Sequence, residues 1–264
     1  MRSRKVITRL LRGSLYFAVT GSIKFDGEGK MTEYTLHYKK VKNITLRITA
    51  QGHVEVTAPF KTDKKRVEQF IQQKQQWIMQ HQQKIAQLQQ QRQLQGLHNQ
   101  YVDGGQIAYL GQMYPLHVEQ QGKRGWQWDQ TALLVQGCSN EEQCRQMVEV
   151  FYRTQLSAVI LPPLDLAVRQ RLQSLSLPQP EFTVRKMRAS WGLCYSQSHK
   201  IVLNLWLAMA PLDCIQQVMI HEYLHFCQSN HGPQFYALME RFEPQYRQLK
   251  QKLSVLVNLR ELAE

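Results

Sequence analysis

The sequence holds no C-x-x-C pair, and its cysteines number five: Cys138, Cys144, Cys194, Cys214 and Cys227. An odd count without close pairs argues against a disulfide framework and for a reducing compartment such as the cytoplasm. The plain reading of most of these thiols is as small buried apolar residues. Long hydrophobic runs are missing too. The longest candidates, such as "VMIHEYLHF", are interrupted by ionisable residues, so no stretch reads as a membrane span. No internal repeat is present. Acidic residues are scarce: 20 Asp and Glu stand against 33 Lys and Arg, a net charge of +13. Residues 1–30 carry +5 of that total, and the remaining +8 is expected to be spread along the chain. A basic surface favours acidic partners, nucleic acid included. No zinc finger, helix-turn-helix or basic-aromatic motif accompanies the charge, which also serves solubility.

What is present suits a folded chain. The 264 residues, 43% of them hydrophobic, suffice for one large domain or two small ones, and their mixed charge excludes a disordered chain. In residues 1–30 the patch "LYFAVTG" is short and lacks a small-residue cleavage site, which speaks against a signal peptide. "DGEGKM" can be encoded by a purine-rich stretch, as a ribosome-binding site is before a start codon. Met31 therefore reads as a natural start, and 1–30 as a poorly ordered extension.

Strand signals open the rest. "EYTLHYKK", "NITLRIT" and "HVEVTAP" alternate apolar and polar residues, with Gln51-Gly52 as a hairpin turn. Thr62 or Asp63 can cap one long helix, in which Val67, Phe70, Ile71, Trp77, Ile78, Ile85 and Leu88 recur at helical spacing through a Gln-rich tract. Its end is expected near Gly96. Asp103-Gly104-Gly105 reads as a turn. "QIAYLGQMYPLHVEQ" and "WQWDQTALLVQG" read as hairpins, the first bent at Gly111. From Glu141 the period is helical, with a kink or break at Pro162-Pro163 and further helix to about Leu175. "EFTVRKMR" and "KIVLNLWL" read as strands, and Pro211 opens a helix carrying His221. The fold class is α+β, with three parts: the 1–30 extension, a mostly β region with one long helix over 31–138, and a second α+β region over 139–264.

The chemistry concentrates in "HEYLHFCQSNH", His221 to His231. His221 and His225 stand four apart, so a helix projects them from one face, as two ligands of one zinc ion require. Glu222, beside the first ligand, can aim its carboxylate at a zinc-activated water and act as general base. Asn230 tolerates the left-handed conformation that ends helices, and would turn the chain to bring His231 in as third ligand. Gly232-Pro233 then starts a new helix. Three histidines leave a fourth position open, the signature of a catalytic site. Three other readings compete: hydrogen-bonded core histidines, a structural zinc site, and a scaffold module without catalysis. No cysteine at ligand spacing closes a structural site, and Glu222 beside the ligands favours catalysis.

H-E-x-x-H-x₅-H equals the spacing of the metzincins, but Gln228 stands where they have glycine and their Met-turn has no counterpart. A wider match is carried by "RKMRASWGLCYSQSHKIVLNLWLAMAPLDCIQQVMIHEYLHFCQSNHGPQFYALMERFEPQY". It resembles the YgjP-like metallopeptidases, kin of the WLM and SprT-like zincins. The resemblance runs through Trp191, Gly192, Cys194, Asn204, Pro211, the zinc helix, Asn230-His231 and Phe235-Tyr236. With the N-terminal stretches "GHVEVTAPFKTDKKRVEQFIQQKQQWI" and "GGQIAYLGQMYPLHV" it spans roughly Met31 to Leu249. Leu193 replaces the usual serine, and Tyr236 stands where tryptophan is common. The resemblance implies a zincin-like catalytic domain over 139–264, a zinc ion held by His221, His225 and His231, Glu222 as base, and a protein or peptide substrate. Asn204 and Tyr236 are candidate substrate contacts, the former by strand addition. Tyr236 or Tyr246 is a candidate oxyanion donor. Trp191 and Trp206 read as core, and His199 as surface. Because SprT-like and WLM proteins act on proteins crosslinked to DNA, the alternative function is a DNA-associated protease of DNA-bound proteins.

Overall fold

A computed structural model describes residues 7–8, 17–24, 31–49, 51–259 and 262. The chain divides into two units, residues 1–91 and 92–264, each with its own core. The sequence reading instead divides it at 138. The charge is divided as well: unit one holds seventeen Lys and Arg against six Asp and Glu, +11 of the total, and unit two only +2. It is therefore not spread along the chain.

The first unit is a sheet ordered β1-β2-β3-β5-β4, from β1 (Ile7–Thr8), β2 (Phe17–Lys24), β3 (Met31–Lys39), β4 (Thr45–Ile48) and β5 (Val54–Pro59). Val54, Val56 and Ala58 are buried while Glu55, Thr57 and Pro59 are not, the period of two that a half-buried strand requires. Gly52, at φ 84°, makes the expected turn between β4 and β5, and the Thr49 N–H donates to the His53 carbonyl at 2.8 Å. Phe17–Lys24 pairs along the whole of β3, with Ile23 buried, so this part of the supposed extension is an ordered strand. Apart from Ile7–Thr8, the rest of 1–30 lies outside the described residues. Asp63 caps α1 (Lys64–Gln73) by accepting from the Lys65 N–H. The single long helix of the sequence reading is two. It breaks at Lys74 (φ −99°, ψ 9°), whose N–H bonds back to Ile71, and resumes as α2 (Gln75–Gln95). Ile71 and Ile78 are both fully buried, and their spacing does not register a local tightening of the turn between them.

The second unit begins with a sheet ordered β6-β7-β9-β8, from β6 (Gln106–Tyr109), β7 (Gln112–Glu119), β8 (Gly125–Trp128) and β9 (Leu133–Gln136). These are the two expected hairpins, joined by parallel β7–β9 pairing. Leu110 and Gly111 both take positive φ, the primed turn that matches strand twist. A side chain at Gly111 would meet the Pro211 ring at 2.6 Å. These strands share a core with α3 (Glu141–Thr154): Tyr109, Trp126 and Trp128 surround Phe151 with ring centroids 5.2–5.4 Å away. Those aromatic contacts are why the unit boundary falls before β6.

Pro162-Pro163 does not break the helix. A π-helical segment, Gln155–Ile160, joins α3 to α4 (Leu161–Arg171) and puts the prolines in the first turn of α4, where a missing N–H costs nothing. The third sheet, ordered β10-β12-β11, comprises β10 (Glu181–Arg185), β11 (Gly192–Tyr195) and β12 (Lys200–Asn204). β11, which the sequence reading did not assign, forms one edge. α5 (Leu212–Leu224), α6 (Pro233–Phe242) and α7 (Tyr246–Leu256) complete the unit. Among the described residues no helix is long and apolar enough to cross a membrane.

α5 is buried on nearly all sides, packing on α4, α6, α7 and β11. Its Tyr223 hydroxyl donates to Asp165 of α4, whose other oxygen takes the Arg169 Nε at 3.0 Å. Burial, with the Asp165 carboxylate, raises the Tyr223 phenol far above its usual pKa. Tyr223→Phe removes a donor from a buried carboxylate. Unfolding in urea should show a loss of about 1–3 kcal/mol; an unchanged midpoint would remove this contact from the account of how α5 is anchored.

Candidate metal centre

The last turn of α5 sets the site. His225 keeps right-handed helical backbone (φ −68°, ψ −14°), so its ring lies one turn from that of His221, at a centroid separation of 5.0 Å. The chain then leaves the helix through short backbone bonds: His225 N–H to Glu222, Phe226 N–H to Tyr223, and Cys227 and Gln228 N–H to Leu224. This corrects the expectation for Asn230, which is not among the residues with positive φ. The tightened turns satisfy the open carbonyls, so no left-handed residue is needed.

His231 meets the helix pair from the loop before α6. Its ring centroid is 4.9 Å from that of His221 and 4.7 Å from that of His225. One ligand nitrogen from each of the three rings lies within 4.8 Å of the others, and the Nε2 atoms of His221 and His231 are 3.0 Å apart. Phe235, fully buried in the first turn of α6, forms the floor, with its ring 4.7–4.9 Å from all three imidazoles.

The donor set fits a metal ion. The His225 Nδ1 lies 2.9 Å from the Gln228 carbonyl oxygen. A carbonyl only accepts, so Nδ1 carries the proton and Nε2 presents its lone pair to the cluster. Burial, followed by repulsion from His225, His231 and Lys250, pushes His221 down to about 3, and His231 is lowered by the same kinds of cause. Both imidazoles are thus neutral near pH 7, the form that binds metal.

Glu222 is buried, and burial raises its carboxyl to about 7. It shares a cleft of 670 Å³ with the histidines, Gly192, Cys194, Gln217, Tyr236 and Lys250. Gly192 lies against it: a Cβ there would lie 2.5 Å from Glu222 Cγ and 2.6 Å from Oε1. Burial and the Glu222 charge push the Cys194 thiol up to about 11, which keeps it from acting as a nucleophile.

The other sequence candidates separate. Tyr236 lines the cleft, and its ring stacks on that of Tyr246, also in the cleft wall, at 6.2 Å. Asn204 does not reach it. Fully buried, Asn204 donates to the Met187 and Ser190 carbonyls at 2.8 and 2.7 Å and accepts from the Trp206 N–H, so it braces the loop before β11. Its strand is central and has no free edge for strand addition; the edge strands of that sheet are β10 and β11. Trp206 is core, while half-buried Trp191 lines the cleft. His199 is exposed. The sequence reading missed the Phe235 floor and the approach of Lys250. A lysine on a polar helix face carries no local signal of what it faces.

The family model described as YgjP-like, metallopeptidase domain matches residues 42–255. No curated protein and no solved structure matches the chain. The match spans both units and contains the histidine cluster, Glu222, β11 and Phe235, and metallopeptidases work through a bound metal ion. The chain belongs to the YgjP-like metallopeptidase family.

Proposed function

We propose that the protein hydrolyses peptide bonds with a zinc ion held by His221, His225 and His231 and with Glu222 as general base. The observation that carries this reading is the convergence of three imidazole nitrogens within 4.8 Å at a cleft that Glu222 also lines. When bound, zinc supplies Lewis acidity toward the substrate carbonyl and acidifies the attacking water. The protein's own groups do the rest. Glu222 takes the proton of the water and returns it to the leaving amine. The absence of a side chain at Gly192 gives its carboxylate room to turn toward the cleft. The free edge of β11 pairs with an extended substrate, whose backbone then runs beside the base. Tyr236 or Tyr246, on the cleft wall, donates to the developing oxyanion. All five cysteines are free, which supports a reducing compartment, the cytoplasm.

Glu222→Gln should keep its metal, measured by elemental analysis, and lose at least about a hundredfold in turnover of an unstructured protein substrate. Turnover at the wild-type rate would sink the assignment of the base. Gly192→Ala places a methyl group against Glu222 and leaves every ligand in place. Metal stoichiometry should hold while kcat falls by about a hundredfold; an unchanged kcat would show that the close approach does not aim the carboxylate. Chelation should abolish activity and zinc should restore it. Restoration by another divalent ion but not by zinc would overturn the choice of metal.

A further inference from the structure

The excess positive charge of the first unit has a focus. A groove of 610 Å³ runs between the β3–β4 loop, the turn after β5 and α1, lined by Lys42, Phe60, Lys61, Arg66 and Phe70 among others. Among the described residues no carboxylate lines it. The acidic residues nearest in sequence are engaged elsewhere: Asp63 caps α1, and Glu68 pairs with Lys64 at 3.5 Å. Lys42, Lys61 and Arg66 are exposed, and among the described residues none has an ion-pair partner. Phe60 is 50% exposed, an unusual cost for a phenylalanine beside three cations. Lys61 sits at φ 68°, in a tight turn where the Thr62 N–H and hydroxyl both donate to the Pro59 carbonyl. Glycine takes that conformation without strain, so the lysine is held there at a cost.

We propose that this groove binds single-stranded nucleic acid. Cations without counter-charges take backbone phosphates, and the faces of Phe60 and Phe70 take unstacked bases. The amides of Asn43, Gln69 and Gln73, on the same walls, can hydrogen-bond base edges. An acidic peptide has no use for the aromatic faces. A membrane surface is met by a continuous apolar face rather than by a concave slot rimmed with amides. The sequence carries no contiguous basic-aromatic motif because the groove draws on three separated segments, 42–44, 59–62 and 66–73. The proposal is independent of the peptidase reading: its test measures binding alone.

The test uses the full chain and a fluorescein-labelled oligo-dT of about twenty nucleotides, read by anisotropy across a salt series. Binding should weaken with salt. The Lys42→Ala, Lys61→Ala, Arg66→Ala triple variant should reduce the slope of log K against log[salt] by about 2, at about 0.7 per lost phosphate contact. Phe60→Ala should weaken binding about tenfold and leave the slope unchanged. Lys61→Gly keeps the turn without strain and removes one charge, so it stays informative if the triple variant unfolds; it should lower the slope by about 0.7. Lys123→Ala, on the second unit, is the control and should change nothing. The proposal fails if the groove variants bind as wild type, if Lys123→Ala weakens binding as much as Lys61→Gly does, or if Phe60→Ala is neutral, which would leave charge alone. It also fails if phosphatidylserine vesicles or duplex DNA compete as well as unlabelled oligo-dT.

Discussion

The burial of ionisable groups at the end of α5 is the constraint around which the second unit is arranged. His221, Glu222, Tyr223 and His225 occupy four of the five positions 221–225, in the last turn and C-cap of a helix that packs on four other elements. Burying charge is expensive, and each of these groups meets the cost differently. Tyr223 donates to the buried Asp165. His221 is held neutral by burial. Glu222, raised to about 7, is poised between its charged and neutral forms. A helix designed only for packing would carry apolar residues at these positions. The apolar environment supplies the shifted acidities that reaction chemistry uses.

That constraint also links substrate alignment to the base. β11 is an edge strand of its sheet, and its first residue, Gly192, lies so close to Glu222 that a side chain there would clash with it. One short strand thus meets both the carboxylate and, in the proposed reading, the substrate backbone. Its position is secured from behind by Asn204, whose side chain grips the carbonyls of Met187 and Ser190. An asparagine that looks like a cleft residue in the sequence serves the site through the loop it holds. Phe235 plays the same part on the other side, giving the three imidazoles a rigid apolar floor.

The two units divide the protein's physical chemistry between them. The second is nearly neutral and holds the cleft. The first accounts for +11 of the net charge of +13, and its described residues form a small sheet and a capped helix. A sum over the whole chain hides this, because neither the unit boundary nor the pairing of individual charges is visible in composition.

The sequence by itself pointed to the histidine cluster and most of the elements, because those signals are local. Helical spacing alone puts His221 and His225 on one face, and Gly232-Pro233 restarts the helix after His231. Alternation found β3, β4 and β5; Gly52 marked the turn between β4 and β5, and Gly111 the one between β6 and β7. The break at Lys74 and the π-helical passage before Pro162 escaped it, since an apolar stripe is indifferent to one locally altered hydrogen bond. β11 escaped it as well, since "GLCY" has neither a β-branched residue nor a clear apolar–polar alternation. Only the tertiary structure decided that Asn204 is buried, that Asn230 needs no left-handed turn, and that Gly192 lies against Glu222. Those are facts of long-range packing, where a residue's surroundings come from segments far away in the chain, and no local pattern encodes them.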